Sequence, residues 1–199
     1  MFASVILLYF NPVKKYFVII FIIFHGISHA QQEPAVNSDR LNFEAFYTDM
    51  NSTHGTRFRG VGVEVNKPVS SIFSLGIGFE YSGSSYHPDN GYDLFNLNFL
   101  PVYINQKLKL SGKHKLTPVL DFSEGLSVNT YRQELPNDPA SAQDIHEMGL
   151  YLYGGAGLLW KFSKISSLIV DVGVKSYNVT FNNLDVNPRG LSGKIGLIF

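Results

Sequence analysis

The stretch Arg189–Phe199 (RGLSGKIGLIF) decides the fold. Leu191, Gly193, Ile195, Leu197 and Phe199 share one parity, and Ser192, Lys194 and Gly196 share the other, with Ile198 the exception. Successive side chains of an extended chain point to opposite faces, so this is a strand with one apolar and one polar side. Chain ends in most domains are polar and frayed. An apolar strand running to an aromatic end is instead expected to be built into a sheet.

The same alternation recurs upstream. Strands are expected over Leu41–Met50, Arg57–Val65 and Ile72–Ser82, where Phe73, Leu75, Ile77, Phe79 and Tyr81 oppose Ser74, Gly76, Gly78 and Glu80. A fourth strand starts at Leu94 and sets Phe95, Leu97, Phe99, Pro101 and Tyr103 against Asn96 and Asn98. Its tail breaks parity, because Lys107 and Lys109 inherit the apolar face; a bulge near Asn105, or projection of the strand end beyond the bilayer, would repair this. Leu116–Arg132 places Leu120, Phe122, Leu126 and Val128 on one face and Asp121 and Ser123 on the other, with Glu124 on the wrong face unless Gly125 marks a bulge. Glu147–Phe162 and Ser167–Phe181 complete the series before the closing strand.

The expected connections alternate in character. Those after strands two, four and six are tight; those after one, three, five and seven are longer and polar, Gln133–His146 being the longest. Aromatic residues gather near both strand ends: Tyr47, Tyr81, Phe95, Tyr131, Tyr151, Tyr177 and Phe181 at one, Phe73, Tyr103, Trp160, Phe162 and Phe199 at the other. An apolar band between two interfaces requires two such girdles.

Composition narrows the class. Of 199 residues 45% are hydrophobic and 16% charged, against roughly 25% charged in soluble domains. There is no cysteine, which excludes disulfides, thiolate metal sites and a cysteine nucleophile. Lys14-Lys15, the apolar run Tyr16–Ile27 and Ser28-His29-Ala30 form a signal peptide, expected to be cleaved after Ala30. The apolar run falls short of the roughly 20 residues of a spanning helix. Without the leader the chain carries 14 basic and 16 acidic residues, which argues against nucleic-acid binding. Residues 31–40 are expected to be a polar lead-in and residues 41–199 one domain.

With its leader, eight alternating strands and terminal Phe199, the chain resembles the small eight-stranded bacterial outer-membrane barrels, such as OmpX and the membrane domain of OmpA. Leu97–Ile104 (LNFLPVYI) also resembles the apolar proline strand of PorT-like barrels. The resemblance implies an all-β, antiparallel, up-and-down transmembrane barrel in the cell outer membrane. It also implies that the barrel-assembly machinery reads Ile195, Leu197 and Phe199 as an assembly signal.

A narrow barrel would turn Glu44, Glu64, Glu80, Asp121, Lys161, Asp171, Lys175 and Lys194 into its interior as a polar network, with small glycines relieving crowding. Partner contacts are expected on the outer loops, above all at Arg132, Glu134, Asp138, Asp144 and His146. His54, His87 and His146 fall in expected outer loops. No catalytic, metal or cofactor site is assigned: the paired glycines open no helix, and the His-x-Ser pair of outer-membrane deacylases is missing. The expectation is a monomeric, non-enzymatic barrel in outer-membrane lipid, acting in envelope integrity, surface contacts or secretion and assembly. An outer-membrane lipid-modifying enzyme and a soluble lipocalin-like carrier are the alternatives. A carrier would bury its apolar face and show its charges outside.

Overall fold

The computed structural model describes residues 40–89, 91–110, 114–178 and 188–199. The expected signal peptide and residues 31–39 of the lead-in lie outside these residues, as does Phe181. Eight antiparallel strands run in chain order: β1 (Asn42–Ser52), β2 (Arg57–Pro68), β3 (Phe73–Asp89), β4 (Tyr92–Lys109), β5 (Leu116–Leu135), β6 (Asp138–Lys161), β7 (Ser167–Asn178) and β8 (Arg189–Ile198). Each pairs with the next, and β8 pairs with both β7 and β1 to close the barrel. The seam ends where the Phe43 and Phe199 backbones exchange hydrogen bonds, 3.1 Å and 2.8 Å long. Closure leaves no sheet edge, so strand backbone groups are satisfied within the wall.

The wall is built inside out relative to a soluble protein. Ile77 and Val172 are 65% and 70% exposed, while Glu80 and Asp171 are 1% and 2% exposed. One apolar face per strand therefore points outward around the barrel, and the charged face points inward. A soluble carrier requires the reverse. Trp160, Phe162 and Phe199 ring the exterior at the short-turn end, and Tyr47 and Tyr81 at the other.

Four expectations need correction. First, the long polar segments are not irregular loops. β5 runs on to Leu135 and β6 begins at Asp138, leaving only Pro136-Asn137 as the turn, with Asn137 at φ 67°. β3 likewise extends to Asp89, and β4 begins already at Tyr92. The β5–β6 tip has both faces in water, residues 135–140 being exposed throughout, so neither face needs apolar residues there and the alternation disappears from the sequence, while the β3–β4 hairpin still turns His87 and Leu94 inward.

Second, β4 faces the other way. Leu97, Phe99 and Tyr103 are buried inside, and Val102 and Ile104 face out. The bulge lies between Phe95 and Asn98, not near Asn105, and Asn96 adopts φ 53° there. From Leu97 onward parity is unbroken, and Lys107 points inward. Third, Glu124 is outward and half-buried, opposite Ile104 and Leu152, with no bulge at Gly125. Fourth, Tyr103, Tyr131, Tyr151 and Tyr177 belong to the interior rather than to a girdle, and His87 is fully buried rather than on a loop.

Candidate functional site

The interior is organised in tiers. At its foot lie Glu44, Glu64, Asp121 and Asp171 with Lys107 and Lys194, all buried. Inward positions of β1, β2, β4, β5, β7 and β8 supply them, because parity sends every second residue into the lumen. Lys107 Nζ donates to Glu44 Oε2 (2.6 Å) and to Glu64 Oε2. Lys194 Nζ donates to Asp121 Oδ2 and lies 3.5 Å from Asp171, 3.6 Å from Glu64 and 3.8 Å from Glu44. Its ammonium also sits 5.3 Å from the Phe46 ring centre and 5.5 Å from that of Tyr153. Asn105 Nδ2 donates to Asp121 Oδ1 (2.6 Å), and Tyr153 Oη donates to Asp171 Oδ1.

One level up, Glu80 is the hub. Lys175 Nζ donates to both its oxygens (2.9 Å each) and to Thr48 Oγ1 (2.8 Å). Tyr177 Oη donates to Glu80 Oε1 (2.8 Å) and shares a hydrogen bond with Ser82 Oγ (2.7 Å). An aromatic column starts beside the hub, where Tyr103 Oη donates to Glu64 Oε1 (3.1 Å), and fills the outer half. Tyr103 and Tyr151 lie 5.0 Å apart, Tyr151 and Tyr177 5.4 Å, Tyr177 and Phe99 4.5 Å, and Phe99 and Phe58 5.6 Å. His87 caps it, 5.7 Å from Phe58, with Nδ1 2.8 Å from Thr56 Oγ1.

Glycines make room for these rings. A Cβ on Gly78 would run into the Tyr103 ring, and one on Gly62 into the Phe46 ring. The cavity among Thr48, Glu64, Glu80, Lys175 and Lys194 is about 10 Å³, the space of a single water. The lumen is thus plugged by ion pairs below and by rings above. Ionised side chains here avoid hydrocarbon, but each ion pair must offset its own desolvation through good geometry and further hydrogen bonds.

Of the residues expected in the network, Glu44, Glu64, Glu80, Asp121, Asp171, Lys175 and Lys194 meet in these tiers. Lys161 instead lines the short-turn mouth, half-buried. Lys107 was missed because β4 is apolar on both faces; its parity with Asn105 was the available signal. Phe99 and Tyr103 of the aromatic column were missed for the same reason, whereas Phe58, Tyr151 and Tyr177 lie at the inward parity of β2, β6 and β7. On the projecting hairpin, Arg132, Asp138, Asp144 and His146 are exposed, and Arg132 pairs with Glu134 at 3.0 Å. Among the described residues no group of three or more His, Cys, Asp or Glu is placed to hold a metal.

No protein-family model matches the sequence, and no curated protein matches it. Solved structures do match. A major outer membrane protein from Thermus thermophilus is similar at TM-score 0.53 and 13% identity, with 80% of this chain and 100% of that chain covered. Neisserial surface protein A is similar at TM-score 0.52 and 10% identity, with 79% of this chain and 94% of that chain covered. At such identities the likeness is one of fold. Together with the apolar exterior and charged interior, it makes the chain an integral membrane β-barrel with the fold of the small eight-stranded outer-membrane barrels.

Proposed function

We propose that the protein is a monomeric, non-enzymatic barrel of the outer membrane whose lumen is a structural plug and whose projecting hairpins carry its contacts. The observation that carries this reading is the filled lumen: among the described residues, paired charges and stacked rings close around a cavity of about 10 Å³ between the two tiers, where a porin requires a continuous aqueous path. A packed lumen leaves contacts to the projecting parts of the barrel, of which the β5–β6 hairpin, formed by strands of 20 and 24 residues, is the longest among the described residues. Arg132, Glu134, Asp138, Asp144 and His146 give it mixed charge on a rigid support, which suits contact with another protein or surface in envelope integrity, adhesion or secretion. The short-turn end, with Trp160, Phe162 and Phe199, faces the periplasm. The assembly machinery engages β8 through Ile195, Leu197 and Phe199.

Purified protein in planar bilayers is expected to show no steady conductance, and trypsin added to intact cells is expected to cut at Arg132. Large, stable channels from the monomer would overturn the plug. Cleavage at Arg132 only after the outer membrane is opened would reverse the topology.

A further inference from the structure

On the outer wall, the neighbouring strands β7, β8, β1, β2 and β3 share a shallow apolar depression of about 740 Å³. One row of paired residues crosses it, Leu168–Leu197–Ala45–Val63–Phe79, with the small Ala45 as its floor. Tyr47 and Tyr81 form its edge toward the long hairpins. None of the residues lining it is charged. With strands about 4.8 Å apart, five of them make it about 19 Å wide, room for several acyl chains side by side.

Charge begins at the next row. Tyr47, Val61 and Tyr81 pair across β1, β2 and β3, and the outward-facing row beyond them is Asp49, Arg59 and Gly83. Arg57 follows, opposite Asn51. Arg57 Nε donates to both Asp49 oxygens, 2.8 Å each, and so occupies that carboxylate. Arg59 Nε lies 3.8 Å from Asp49 Oδ2, and no other carboxylate is within 4 Å of either guanidinium among the described residues. Asp93, on the neighbouring β3–β4 hairpin, accepts from Tyr86 Oη (2.7 Å) instead. Gly83 sets no side chain over Arg59 from β3, and the Arg57 and Arg59 side chains are 60% and 61% exposed. The rim thus holds two guanidinium groups against one carboxylate, beside an uncharged apolar depression.

We propose that this face binds a phosphorylated lipid with several acyl chains, of the lipid A type, from the outer leaflet. The chains lie in the depression around Ala45, and a phosphate meets Arg59, whose planar fork matches two phosphate oxygens at once. The cationic rim calls for an anionic headgroup, and the breadth of the depression fits more chains than a phospholipid carries. The choice of leaflet rests on the proposed topology, with the long hairpins outside. Binding itself is measured on isolated barrel, where orientation in a cell plays no part, so the two readings fail separately.

The test offers folded barrel in detergent bis-phosphorylated lipid A, phosphatidylglycerol and phosphatidylethanolamine in separate titrations, with bound lipid counted by native mass spectrometry. Lipid A is expected to bind saturably and about tenfold more tightly than either phospholipid. Arg59→Gln is expected to weaken it about tenfold, and Ala45→Phe, which fills the floor from the lipid side, about threefold. Lys67→Gln, outward at the other end of β2, is expected to leave binding unchanged. Heat-modifiable mobility on gels verifies that each variant is folded. If Arg59→Gln is not, Arg59→Lys replaces it, keeping the charge and losing the fork, with a loss of about threefold expected. Phosphatidylglycerol bound as tightly as lipid A, no saturable binding of lipid A, or binding that the Arg59 and Ala45 substitutions leave untouched overturns the proposal.

Discussion

Lys194→Met tests the lower tier most directly. The Lys194 ammonium has Asp121, Asp171, Glu64 and Glu44 within 4 Å and is nearly free of solvent. Methionine keeps the stem and removes the charge. The tier then holds the same four carboxylates with Lys107 as their one ammonium within reach among the described residues. Removing one partner of a buried ion pair costs about 3–5 kcal/mol, chiefly because the other charges stay buried and uncompensated. Against a folding stability of about 5–15 kcal/mol this is a large fraction. The assay is urea unfolding of barrel refolded into lipid vesicles, followed by the fluorescence of Trp160, the single tryptophan, and by heat-modifiable mobility on gels. Asp121→Asn in the Lys194→Met background neutralises the carboxylate that accepted the Lys194 hydrogen bond, and it is expected to recover about half the loss. A loss below about 1 kcal/mol for Lys194→Met would refute the reasoning, since the charge would then be dispensable to the tier. So would a double substitution whose effects simply add.

Other measurements probe other parts of the wall. Gly78→Ala forces a Cβ into the Tyr103 ring and is expected to cost about 1–3 kcal/mol. Gly193→Ala, where no atom lies within 4 Å, is expected to stay within about 0.5 kcal/mol, so equal effects at the two sites would contradict the packing. Glu124→Leu removes a carboxyl from the apolar band between Ile104 and Leu152 and is expected to stabilise the vesicle-embedded barrel by about 1 kcal/mol; destabilisation would reveal a partner for Glu124. Phe199→Ala should lower the amount of folded barrel in cells while changing in vitro stability by less than about 1 kcal/mol, because the side chain is exposed and the Phe43 pairing is made by backbone. Wild-type levels of folded barrel in cells would remove its role in assembly.

Alternation alone determined the architecture. A strand that spans a membrane around a polar lumen must turn every second side chain to each solvent, so β1, β2, β3, β6, β7 and β8 could be oriented from their residues, and with them the burial of Glu44, Glu64, Glu80, Asp171, Lys175 and Lys194. Where both faces carry the same kind of side chain the signal vanishes. Leu97, Phe99 and Tyr103 alternate with Leu100, Val102 and Ile104, apolar against apolar, and only the bulge at Asn96 decides which set fills the lumen. The hairpin tips fail in the opposite sense, with water on both sides. The pairing of charges belongs to the tertiary structure altogether. Lys107 meets Glu44 across 63 positions of sequence and Lys194 meets Asp121 across 73. Parity tells that each points inward, but the stagger of the strands around the closed barrel sets the height at which each charge arrives, and therefore its partner.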